Sequence, residues 1–144
     1  MDEGIVIKAH SGTYDVQCGD ILYHCALRHH IIEADERRRA ETKEMPYVDL
    51  VSAGDRVLIS KSKSEQNAGY IEEILPRRTQ FGRRRLHKFP QVIAANLDLL
   101  LIIFAAREPQ LILRMLYRFL VMAEAAGMLP VICINKIDLI KLEE

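Results

Sequence analysis

The feature that most constrains this chain is a strand, a helix and a strand in succession toward its C-terminal end. "DLLLIIF" (98–104) is a continuous apolar run bounded by the polar stretches "AAN" and "AAREP", the pattern of a strand covered on both faces. Pro109 follows at a position where a first helical residue is tolerated. Leu111, Ile112, Met115, Leu116, Phe119, Leu120 and Ala123 then fall at helical spacing on one face, and Gly127 supplies the stop. "PVICI" (130–134) reads as a second buried strand, with Cys133 inside it. The right-handed crossover makes the two strands parallel. One βαβ unit cannot close a core by itself. An α/β domain is therefore expected to extend past residue 144, and the bare half-sheet is expected to dimerise, swap strands or aggregate.

The second strand runs directly into Asn135-Lys136-Ile137-Asp138. Ligands of open α/β sheets sit beyond the carboxyl ends of the strands, and Asn-Lys-X-Asp at that place is how many GTP-binding proteins read guanine. An ionised Asp138 can accept from both the N1–H and the 2-amino group of the base. Asn135 can donate to the N7/O6 edge, and Lys136 can lay its aliphatic stem along the ring. Adenine lacks both donors, so its binding leaves Asp138 unpaired at a cost of roughly 100-fold or more in affinity. The bland alternative is a polar loop in which Asp138 caps a following helix. A nucleotide site also needs a phosphate loop of the form G-x-x-x-x-G-K-[ST]. The glycines are Gly4, Gly12, Gly19, Gly54, Gly69, Gly82 and Gly127, and no pair has that spacing. No catalytic residue is assigned.

The first 76 residues have a different grammar. "GIVIKAH" (4–10), "TYDVQC" (13–18), "DILYHCALR" (20–28), "DRVLISK" (55–61) and "GYIEEIL" (69–75) are short and partly alternating, with Gly-containing turns between several of them. Five strands with a longer connection after the third predict an OB-type barrel over 1–76, although an SH3-like barrel has a similar strand count. The insertion "EADERRRAETKE" (33–44) has no apolar stripe and reads as a solvated loop or frayed helix. Residues 77–90 read as a basic connector, and 91–144 as the opening part of the α/β domain.

Within the connector, "RRTQFGRRRLHK" (77–88) holds five Arg, one Lys and one His with no acid. Arg77, Arg78, Arg83, Arg84, Arg85 and Lys88 are the candidate phosphate contacts of an RNA-binding surface. Phe81, and Tyr14 or Tyr23 from the barrel, are candidate stacking residues. The alternative is a solvated linker whose arginines pair with the acids of 33–44.

Composition adds little direction, because formal net charge is zero. Three cysteines without a C-x-x-C pair are a poor disulfide framework and suit a reducing cytosol. An acidic N-terminus and apolar runs of about ten residues argue against a signal sequence or a span, so a cytoplasmic protein without membrane contact is expected. Cys18, His24, Cys25, His29 and His30 lack metal-ligand spacing, and no metal site is expected among them.

The order of these parts closely resembles the ribosome small-subunit-dependent GTPase A family, the circularly permuted GTPases of ribosome assembly. Segments that carry the resemblance are "GTYDV" (12–16), "CALR" (25–28), "VSAGDRV" (51–57), "IEEILPR" (71–77), "QVIAAN" (91–96), "YRFLVMAEAAG" (117–127) and "PVICINKIDL" (130–139). Permutation puts the guanine-reading motif ahead of the phosphate loop, which is then expected after residue 144, so the chain reads as an N-terminal fragment. The resemblance implies GTP hydrolysis with Mg²⁺ by the full-length protein, a zinc-binding C-terminal domain with no counterpart here, and a barrel against 16S rRNA in the 30S subunit during its late maturation. This chain by itself is not expected to hydrolyse GTP. Two other functions compete with that reading. One is a self-contained RNA-binding protein that uses 89–144 for packing or dimerisation, and the other is a protein-binding adaptor.

Overall fold

The computed structural model of the chain describes residues 1–10, 12–42, 50–83 and 91–140. They divide into two compact units, Met1–Asn96 and Leu97–Glu144.

In the first unit, β1 (Asp2–His10), β2 (Thr13–Cys18), β3 (Ile21–Leu27), β4 (Arg56–Lys61) and β5 (Ala68–Ile74) close into a barrel in the order β1-β2-β3-β5-β4. Neighbours are antiparallel except for the parallel seam between β3 and β5. That order, with a helix inserted after the third strand, decides for the OB-type barrel over the SH3-like one. Strand alternation turns Val6, Tyr14, Val16, Tyr23, Cys25, Val57, Ile59 and Ile71 inward, where Val51 joins them from the loop before β4. Each fully buried aliphatic side chain contributes about 1.5–3 kcal/mol, so the barrel holds together through a core of its own.

Between β3 and β4 the chain forms α1 (His29–Thr42). The polar insertion is therefore a solvated helix that starts four residues before the expected segment. Side-chain pairs along it include His29–Glu33 at 3.0 Å and Arg37–Glu33 at 3.9 Å, both one turn apart and exposed. Such pairs add little stability.

After the barrel, β6 (Gln80–Arg83) and β7 (Gln91–Ala95) pair antiparallel as a separate two-stranded sheet. The structure places both strands in the first unit and the division after Asn96. The physical reason is a set of bonds to the loop before β4. Ala95 N–H donates to the Ala53 carbonyl at 2.8 Å, and Ser52 Oγ donates to the Val92 carbonyl at 3.1 Å.

The second unit is the expected βαβ. β8 (Leu99–Ala105) and β9 (Leu129–Asn135) pair parallel from Leu99↔Leu129 to Ala105↔Asn135. The crossover helix α2 (Leu113–Ala125) lies against both strands and buries Ala123. It opens at Leu113, four residues past Pro109, because the chain first turns through Glu108 at φ 54. Gly127, at φ 67, ends it as expected. Among the described residues of this unit, the buried apolar ones are Ile102, Ala123 and Met128. Burial of both strands was expected, yet Leu99, Leu101, Ile103, Ile132, Cys133 and Ile134 are exposed, as is Met115 on the helix. A single helix shields one side of a sheet and leaves the other open.

Candidate functional site

β8 and β9 end level with each other, with Ala105 opposite Asn135. The Ala106 N–H donates to the Asn135 carbonyl at 2.8 Å and ties the two strand ends together. Lys136 turns the chain in the left-handed region, at φ 58 and ψ 37, which is uncommon for a residue with a side chain. A short 3-10 turn, Ile137–Leu139, then carries Asp138 in its first turn. Asn135, Lys136 and Asp138 thus sit together and exposed at the carboxyl end of a parallel pair.

Two side-chain bonds add to the backbone bonds of this turn. Asn135 Oδ1 accepts from the Lys136 N–H at 2.8 Å, which orients the side-chain amide. Lys136 Nζ donates to the Glu108 carbonyl at 2.8 Å, so its ammonium is anchored to the β8–α2 loop rather than left only in water. Among the described residues, the Asn135 Nδ2 group and the Asp138 carboxylate have no protein partner. They are the groups that the chemistry of guanine requires: a donor for its N7/O6 edge and an acceptor for its N1–H and 2-amino group.

The basic candidates separate into three situations. Arg77 is largely buried and holds the fully buried Asp55 through a paired contact, Nε to Oδ1 at 2.7 Å and Nη2 to Oδ2 at 2.7 Å. Its Nη2 also donates to the Leu50 carbonyl at 3.1 Å. Arg78 is exposed, next to β6, and Arg83 ends that strand. Arg84, Arg85 and Lys88 lie outside the described residues. The carboxylate that Arg77 holds is that of Asp55, in the loop before β4.

Of the stacking candidates, Phe81 is half-buried on β6. Tyr14 and Tyr23 are 7% and 6% exposed, inside the barrel, so neither can stack on a base. Alternation along β2 and β3 sends them inward. Among the described barrel residues, the aromatic that reaches the surface is Tyr70 on β5, with the Arg28 guanidinium 3.9 Å above its ring. Arg28 Nε donates to Glu72 at 2.9 Å, and Ser60 Oγ donates to the same carboxylate oxygen. The hydroxyl, then the guanidinium, hold the Glu72 carboxyl below its ordinary range. Burial pushes the Cys25 thiol up to about 11. His24 bonds Asp15 at 2.8 Å across β2 and β3.

With this geometry in place, the chain can be set beside known proteins. A family model described as RsgA GTPase matches residues 74–144. The small ribosomal subunit biogenesis GTPase RsgA of Alkaliphilus metalliredigens is 31% identical across the whole chain. Its counterpart from Halalkalibacterium halodurans is 35% identical, again across the whole chain. The chain belongs to the RsgA GTPase family. It spans 42% and 41% of the length of those two relatives. The crystal structure of YloQ, a circularly permuted GTPase, matches 98% of the chain and 42% of its own length, with a TM-score of 0.64 and 30% identity. YjeQ from Thermotoga maritima shares the fold over 98% of the chain and 43% of its own length, with a TM-score of 0.66 and 24% identity.

For an RsgA-family sequence, reading the motif alone missed two things. Glu108 holds the Asn135–Asp138 turn through its backbone carbonyl, which leaves no mark on residue type. The Asp55–Arg77 pair joins positions twenty-two apart in sequence. "SAGD" hinted at it, since Gly before Asp marks a tight turn, but the partner had to come from the fold.

Proposed function

We propose that this chain carries the guanine-reading half-site and an RNA-facing barrel of a circularly permuted GTPase acting in late maturation of the small ribosomal subunit. The observation that carries the reading is the exposed Asn135-Lys136-Asp138 turn at the level ends of β8 and β9, with Asn135 Nδ2 and Asp138 lacking protein partners among the described residues. The relatives' names, which speak of small ribosomal subunit biogenesis, support the cellular setting. GTP with Mg²⁺ is the expected nucleotide of the whole protein. On the permuted reading, the phosphate loop, the Mg²⁺ ligands and a zinc site are expected outside the residues of this chain, which spans 42% and 41% of those two relatives.

Phosphate and metal contacts supply most of the hold on a nucleotide and all catalytic positioning. The chain by itself should therefore bind GTP weakly, prefer it to ATP, and not hydrolyse it. NMR titration tests this directly: GTP should move the amide resonances of residues 135–139, and ATP at the same concentration should not. Equal responses to both nucleotides would contradict the assignment.

The RNA contact, expected to be 16S rRNA, is assigned to Arg78, Arg83, Arg84, Arg85 and Lys88, with Arg77 as a lesser contributor because it already holds Asp55. For single-stranded RNA each phosphate contact adds about −0.7 to the slope of log affinity against log salt. The rival stand-alone RNA module has one observation in its favour, the barrel's complete core. Guanine selectivity at Asp138 separates the two readings.

A further inference from the structure

The segment after the barrel reads in sequence as a basic linker, yet Arg77 and strand β7 are fastened to the loop before β4. Arg77 binds the buried Asp55 through two bonds, and Asp55 Oδ2 also accepts the Ser52 N–H at 2.8 Å. The Asp55 carbonyl in turn accepts from Val6 N–H of β1 at 2.9 Å. At the far end of the hairpin, Asn96 closes the network from both sides of its amide. Its Nδ2 donates to the Gly54 carbonyl at 2.9 Å, and its Oδ1 accepts the Arg78 N–H at 2.8 Å. The Asn96 N–H donates to the Thr79 carbonyl at 2.7 Å, with Thr79 itself buried. Gly54, at φ 88, lies so close to this strand that a Cβ there would come within 2.0 Å of the Ala95 carbonyl oxygen. Asn96 itself sits at φ 55, a conformation that Asn tolerates well.

We propose that Asn96, Gly54 and the Asp55–Arg77 pair are positioning residues that make hairpin β6–β7 and the barrel one RNA-binding body. The inference rests on the RNA reading given above and deepens it. A free basic linker contributes charge wherever it wanders, and only its composition matters. A clamped hairpin holds the backbone of Arg78 in fixed register with the barrel, so a neutral change in the clamp should alter how many phosphates are met. Asn96, Gly54 and Asp55 touch no RNA themselves.

Asn96→Gly separates these cases. Glycine keeps the positive φ, changes no charge, and removes only the bridge between Gly54 and Arg78. RNA affinity of the whole chain is measured for a single-stranded oligonucleotide across a salt series, for the wild type and the variant. Amide hydrogen exchange over 91–96 and the melting midpoint are followed on the same samples. The expected result is faster exchange in 91–96, a midpoint typical of a folded barrel, several-fold weaker binding and a salt slope shallower by about one phosphate contact. Faster exchange with unchanged affinity and slope overturns the inference and leaves the clamp purely structural. Unchanged exchange overturns the clamp itself. Should the variant fail to fold, Arg78→Gln and Asp55→Asn decide the matter. Asp55→Asn removes a negative charge, so a free linker predicts tighter RNA binding and a clamp predicts weaker binding. If wild-type chain binds no RNA at any salt, the RNA reading fails first and the inference falls with it.

Discussion

At the residue scale, buried charge and buried sulfur make the sharpest demands. Asp55 is fully buried and its carboxylate is met by one guanidinium and one backbone N–H. Arg77→Met leaves that carboxylate without its counter-ion, and breaking such a pair costs about 3–5 kcal/mol. Urea unfolding should show the loss as a lower midpoint with an unchanged slope. A variant as stable as the wild type would mean that the pair carries no weight. Cysteine reactivity divides just as clearly. Burial raises the Cys25 thiol to about 11, so it is protonated and shielded at pH 8, whereas Cys133 is exposed on β9. Alkylation at that pH should label Cys133 first and leave Cys25 intact until the barrel unfolds, which peptide mass mapping reads directly.

At the element scale, the β3–β5–β4 seam carries a pH signature. Ser60 and Arg28 hold the Glu72 carboxyl below its ordinary value of about 4.3. A depressed folded value gives stability that is complete above the unfolded value and lost as pH falls through the folded one. Melting temperature should therefore drop more steeply below about pH 4.3 in the wild type than in Glu72→Gln, with parallel curves above it. Much of this level was legible beforehand. Period-two alternation and Gly turns located all five barrel strands, and helical spacing located α2 over Leu116, Phe119, Leu120 and Ala123. The errors share one cause, since single-segment patterns cannot see what covers a segment. Cys133 sits between two isoleucines and Met115 on the apolar stripe of α2, yet both have an open side in space, while Tyr14 sits between Thr13 and Asp15 and yet faces a core, as does Tyr23. The same blindness hid the hairpin, because "RRTQFG" and "QVIAA" declare themselves as strands only when the loop at 50–55 holds them.

At the scale of the whole molecule, the two units stand differently. The barrel closes on its own core, while the βαβ unit leaves Leu101, Ile103, Ile132 and Ile134 exposed. In a sample of this chain alone, sedimentation velocity should show association that grows with concentration, as expected for a sheet that lacks neighbours. A single monomeric species at all concentrations would count against that. The central claim is that Asp138 reads guanine at the ends of β8 and β9, and the most direct measurement is a base swap. Xanthine keeps the N1–H but carries an oxygen where guanine has its 2-amino donor, and an Asn side chain can serve both edges. Competition among GTP, ATP and xanthosine triphosphate should be followed at residues 135–139 in the wild type and in Asp138→Asn. The account predicts that the wild type prefers GTP and the variant prefers xanthosine triphosphate. An unchanged order of preference in the variant would contradict it.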